Sequence, residues 1–191
     1  MVGNRLSRGL GLAGLLALFV YHGQAKTQAD ACALISPAAI QKVMGEPVKS
    51  AKPTAQIIGE VRFSQCFYTL ETFTNSISVA VTAPGPADVH HDAARELWQR
   101  WFHKGEKDAD SDHEKEESRR GGESEEEEAA AKALPVAGIG SEAFWVHSFV
   151  GTLYVRKSDQ FVRISMGGKL SDEERLARAK SLAADALRHM P

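Results

Sequence analysis

The chain has 191 residues, with 23 Lys and Arg against 25 Asp and Glu, a formal net charge of −2 and two cysteines. That length suits one ordinary domain once an export segment is set aside. The charge balance excludes the basic footprint that a nucleic-acid partner requires.

The chain opens like a secretory signal. Arg5 and Arg8 form a basic start, "GLGLAGLLALFV" from Gly9 to Val20 is a short apolar run, and Gly23 and Ala25 suit cleavage after Ala25. The apolar run is shorter than the roughly 20 residues of a membrane span. The expectation is a signal peptide over residues 1–25 and a periplasmic or secreted α+β domain over 26–191, with no retained span. Losing Arg5 and Arg8 takes the formal charge from −2 to −4.

Cys32 and Cys66 are the only cysteines. A lipid anchor would place a cysteine directly against the apolar run, whereas Ala29, Asp30 and Ala31 precede Cys32. Neither cysteine has a His or Cys nearby to build a metal site, and no arrangement offers a base for a thiol nucleophile. In an exported chain two cysteines most often pair, so the expectation is a Cys32–Cys66 disulfide tying the first helix to a strand.

Ser36 is a good N-cap, Pro37 fits the first helical position, and Ile35 and Ile40 have the spacing of a hydrophobic staple. Gly45 and Pro47 stop this helix. Residues around Pro47 to Ile58 read as an edge strand limited by Pro53. "RFSQCFYTL" places Cys66, Tyr68 and Leu70 on one face and Phe63 and Phe67 on the other. "NSISVAVTA" alternates with Ile77, Val79 and Val81 on one face.

Asp88 is the expected cap of a second helix through "DVHHDAARELWQRWFHKG", where Val89, Ala93, Leu97 and Trp101 form a stripe with Ala94 and Trp98 beside it. An aromatic stripe of this kind could line a pocket, but it is more often core facing a sheet. Residues 106–128 then carry close to half of all the acids and no apolar residue but Ala109. Such a stretch cannot bury enough surface to offset its ordering entropy, so it reads as a disordered acidic insertion.

"LPVAGIG" marks the return to folded sequence. "SEAFWVHSF", "GTLYVRK" and "QFVRISMGG" read as a meander, and Ser171 with Glu174 forms a capping box for a last helix. Leu176, Ala179, Ala183, Ala186 and Met190 give that helix its core face. The fold expected is a mostly antiparallel sheet of about six strands with helices packed on one face, in two α/β halves joined by the insertion.

Cys32, Leu34, Ser36-Pro37, Ile40, Gly45, Pro47-Val48 and Cys66-Phe67-Tyr68 resemble the pattern of a group of small exported bacterial proteins of unknown function. "LPVAGIGSEAFW" and "LYVRKSDQFVRI" resemble that group's second half. The group is similar to extracellular sensor domains of bacterial membrane Ser/Thr kinases. The resemblance implies ligand or partner sensing, and it carries a fold and a disulfide rather than an active site.

Chemistry-bearing motifs are sparse. Asp108, Asp110 and Asp112 begin like a calcium loop, but His113 replaces the required Gly and Arg119 the bidentate Glu. His90, His91, His103 and His113 suggest Zn²⁺ or Ni²⁺ capture. Within one helix His91 and His103 would stand about 18 Å apart and about 120° around the axis, so they cannot share an ion there. No G-x-S-x-G, H-E-x-x-H or phosphate loop occurs. "GGKLSDEE" could attract an anion at a helix N-terminus but reads better as a turn and capping box. Glu142 and Asp159 fall at turns.

The expectation is therefore no enzyme, no cofactor, and no catalytic or metal residues. Two classes stay open: a binding or sensing module for a protein or small ligand in the envelope, and a protein that associates with Zn, Ni or Ca cations through the insertion.

Overall fold

A computed structural model describes residues 30–83, 92–103 and 133–190. The expected signal peptide and acidic insertion, along with His90, His91 and His113, lie outside the described residues.

The chain begins with α1 (Ala31–Leu34) and α2 (Pro37–Met44), followed by β1 (Val48–Ile58), β2 (Val61–Leu70) and β3 (Ser76–Ala83). Helix α3 (Ala93–Phe102) precedes β4 (Leu134–Pro135), β5 (Glu142–Val146), β6 (Thr152–Lys157), β7 (Gln160–Met166) and α4 (Asp172–His189). All strands join one antiparallel sheet in the order β1-β2-β3-β7-β6-β5-β4. The sheet therefore has seven strands rather than about six. The additional strand is β4, a two-residue pairing of Leu134 with Trp145 and Pro135 with Phe144 at the start of "LPVAGIG", the return to folded sequence.

The local signals act as their chemistry requires. Ser36 Oγ accepts from the Ala39 N–H at 3.1 Å, and Gly45 ends α2. The Ser171–Glu174 capping box closes in both directions, at 2.9 and 3.2 Å. Helix α3 begins at Ala93 with Asp92 as its N-cap and no side-chain cap bond, whereas the expected cap Asp88 lies outside the described residues.

The pleat sends alternate residues to opposite faces. Cys66, Tyr68, Leu70, Ile77, Val79, Val81, Leu153, Val155, Val162, Ile164 and Met166 join one buried cluster. Above them lie α1, α2 and α4, with Ala179, Ala183 and Ala186 letting α4 lie close to the strands. The other face carries Phe63, Ala80, Tyr154 and Phe161, and α3 covers it with Leu97, Trp98 and Trp101.

Helices thus pack on both faces, correcting the expectation of one helical and one solvated face. The cause is the residues between the aliphatic positions. Phe63, Phe144, Tyr154 and Phe161 are large rings that a single alternating pattern treats as outward, and α3 supplies the matching rings. Trp98 lies 5.2 Å from Phe161, and Trp101 lies 5.9 Å from Tyr154, between ring centroids. Aromatic pairs in this range add about 0.5–1.5 kcal/mol beyond the area they bury.

Candidate functional site

Cys32 and Cys66, the two predicted bridge residues, meet as a disulfide with Cα atoms 5.0 Å apart. Asp30 caps α1 by accepting the Cys32 N–H at 2.9 Å, and the Ala31 N–H donates to Ser64 Oγ at 3.1 Å. Tyr68, buried beside the bridge, directs its hydroxyl to the carbonyls of Cys32 and Ile35, both at 3.3 Å. Burial, with a smaller contribution from the Asp30 charge, pushes the Tyr68 phenol up to about 12. Cys66 is fully buried and Cys32 partly so, and the bridge ties α1 to β2.

Two polar clusters flank β5, and both have the same make-up. On the α3 face, Glu142 accepts the Trp98 indole N–H at 2.6 Å. His103 Nε2 stands 2.7 Å from its other oxygen, and Arg156 Nε lies 3.5 Å away. On the α4 face, Asp172 accepts the Trp145 indole N–H at 3.1 Å and meets His147 Nδ1 at 2.8 Å. Gly151 makes the second cluster possible, because a Cβ there would stand 2.5 Å from the Trp145 ring.

Each carboxylate is held by an indole, an imidazole and, for Glu142, a guanidinium. Such a group works as a clamp between helix and strand. The sequence places Glu142 at a turn, and nothing in its neighbours reveals that Trp98 and His103 arrive from a distant helix. Of the four histidines considered for metal capture, His103 alone is described, and it faces Glu142. Among the described residues no three metal-binding side chains gather. Asp159 stays in the β6–β7 turn.

A different feature dominates one end of the sheet. The β2–β3 turn, the β5–β6 turn and the link from β7 to α4 meet there. The Met166 N–H donates to Val150 O at 3.2 Å and the Gly167 N–H to Ser76 O at 3.0 Å. Phe73 stands at the tip of the first turn, 98% exposed, and Phe149 at the tip of the second, 91% exposed. The two turns are centred three strand spacings apart, about 14 Å. Val150 and, lower on the open part of the α3 face, Phe67 add partly exposed apolar surface.

These turns are built to hold their tips. Glu46, in the α2–β1 link, accepts the Thr72 N–H at 2.8 Å and the Asn75 side-chain N–H on either side of Phe73. Those hydrogen bonds hold the Glu46 carboxyl below its ordinary value, the one from Asn75 contributing most. The Gly151 N–H donates to Ser148 Oγ at 3.1 Å around Phe149. The sequence pattern runs a strand through Phe149, which lies instead in the turn after β5, and it gives Phe73 no role. Their one signal is a lone aromatic residue inside the polar turns "ETFTN" and "HSFVG".

No helix among the described residues is long and apolar enough to cross a membrane. Comparison with protein-family models, with curated proteins and with solved structures finds no significant match to this chain.

Proposed function

We propose that the chain is an exported, non-enzymatic binding or sensing module of the bacterial envelope, and that its contact surface is the turn end carrying Phe73 and Phe149. The observation that carries this reading is the exposure of two phenylalanines, 98% and 91%, on turns whose backbones are pinned by hydrogen bonds. Two aromatic side chains presented on pinned turns are ready anchors, because a preorganised backbone loses little entropy on binding. The disulfide fits an oxidising compartment. The resemblance to exported proteins and sensor domains points the same way.

The test is retention of envelope proteins on the immobilised mature chain beside its F73S/F149S variant. Partner retention that drops at least tenfold in the variant, with an unchanged melting temperature, supports the reading. Equal retention by both overturns it. A binding hot-spot residue costs about 2 kcal/mol or more when truncated.

A further inference from the structure

We propose that the chain dimerises edge to edge, through residues 55–57 of β1 in two copies related by a two-fold axis. The site lies at the opposite end of β2 from the Phe73 turn, and it does not depend on the turn-end reading.

The sheet order leaves β1 and β4 as its edges. Strand β4 is two residues long and ends in Pro135, so it offers almost nothing to pair with. Strand β1 runs for 11 residues, and positions 51–57 are all exposed. The turn fixes which backbone groups face outward. Gly59 and Glu60 are its two residues, so Ile58 and Val61 form a hydrogen-bonded pair, and pairs alternate along the regular register from there. The backbone N–H and C=O of Ile57, Ala55 and Ala51, and the C=O of Pro53, therefore point away from β2. Pro53 brings no N–H to that edge, and its ring bars a strand from closing across it. Between Pro53 and the turn, Ala55 and Ile57 keep outward donors and acceptors that meet no described strand.

A second copy fits that stretch in one way. Antiparallel pairing about an axis at Gln56 sets Ala55 against the partner's Ile57 and Ile57 against the partner's Ala55. Each of these pairs exchanges both of its hydrogen bonds. Moving the axis toward Pro53 sets an outward residue against that proline. Moving it toward the turn leaves Ala55 beyond the end of the partner's strand.

The side chains suit the same register. Ile57 is 65% exposed in the single chain. Opposed residues share a face, so each Ile57 lies against the small side chain of the partner's Ala55, and the two pairs make one apolar patch. The charges match as well. Lys52 falls opposite the partner's Glu60, an exposed cation against an exposed anion on each side of the axis. A pairing this short buries little area, so the dimer belongs to the transient class and forms as concentration rises.

The experiment is sedimentation equilibrium of the full mature chain over a wide concentration range. A reversible monomer–dimer equilibrium is expected. Ala55→Pro removes an outward N–H and leaves the bonds to β2 intact. It should weaken the dimer about tenfold or more at an unchanged melting temperature. Lys52→Glu and Glu60→Lys should each weaken it about threefold, and K52E/E60K should regain the parental constant. Within one chain the two positions stand about 20 Å or more apart along the strand, so only contact between copies can restore it. A chain that stays monomeric at every concentration overturns the proposal. So does a dimer that survives Ala55→Pro, a double variant as weak as the singles, or a dimer lost in F73S/F149S.

Discussion

The two faces of the sheet are held in different ways. The aliphatic face carries a disulfide and three helices, one of them closed by a capping box. The aromatic face carries one ten-residue helix whose N-cap makes no side-chain bond. A helix that short is marginal alone, so α3 depends on what it packs against. It is fastened by rings, chiefly Trp98 and Trp101, and by a polar clamp at Glu142. One face spreads its stability over many small contacts; the other concentrates it in a few large ones.

The largest break in that contrast is Trp98→Ala, which removes both a fully buried ring and the indole donor to Glu142. A loss of about 3–5 kcal/mol is expected in denaturant unfolding. Near-ultraviolet dichroism should fall while amide protection in α4 persists at moderate temperature. If α4 loses protection in step with α3, the two faces are not separable.

On the other face, replacing Cys32 and Cys66 together with Ser should cost about 2–4 kcal/mol, mainly by freeing the denatured chain. The measurement is thermal unfolding beside the oxidised parent. A bridge that acts as a tie gives a shift of several degrees with near-parental circular dichroism, and no shift would remove that role.

Glu142→Gln sharpens the comparison further, because it removes the charge facing His103 and Arg156 and keeps an acceptor for Trp98. About 1 kcal/mol should be lost, the range of charge-assisted hydrogen bonds less what the amide retains. Trp98 emission reports the local change. A variant as stable as the parent would mean that the rings alone hold α3.

Acid should loosen the turn end. Glu46 has its carboxyl lowered by the Asn75 and Thr72 hydrogen bonds, so its contribution is complete above the ordinary carboxyl value of 4.5. That contribution is lost as pH falls through the lower folded value. The protection of the Thr72 amide, relative to its intrinsic exchange rate, should therefore fall below that pH in the parent and be low throughout in Glu46→Ala. Identical pH profiles for the two proteins would discount the link.

The smallest expected effect concerns two hairpins of the same length. Gly59 in the β1–β2 turn and Ser158 in the β6–β7 turn both have positive φ, 58° and 54°. Glycine adopts that region freely, while a residue with a Cβ meets steric cost there. Ser158→Gly should stabilise by up to about 1 kcal/mol in chemical denaturation. A loss of stability would show that the Ser158 side chain matters more than its backbone.

Strands with one buried face were legible in the sequence. Ile77, Val79 and Val81 alternate, and all three are fully buried on the α4 side. The Ser171–Glu174 box and the cysteine pair were legible too, because each signal is local or has a single possible partner. The second packed face was not, since Phe63, Tyr154 and Phe161 come from three strands and gain meaning only beside Trp98. The clamps at Glu142 and Asp172 stayed hidden for the same reason: their partners come from other elements. Phe73 and Phe149 carried no periodicity, because a turn has none.

The seam between β3 and β7 has a kinetic consequence. Within each meander the strands pair with sequence neighbours, so those contacts close short loops and can form early. The seam pairs Ile77 with Met166 and Val81 with Val162, residues separated by nearly half of the chain. Joining the meanders is therefore the step with the greatest search cost, and it falls after the local hairpins. Loop-closure entropy grows only with the logarithm of length. Shortening the connection by the acidic run at 106–128 would relieve that step by only about 0.3 kcal/mol. A long hydrophilic stretch between α3 and β4 is thus nearly free for the folding chain to carry.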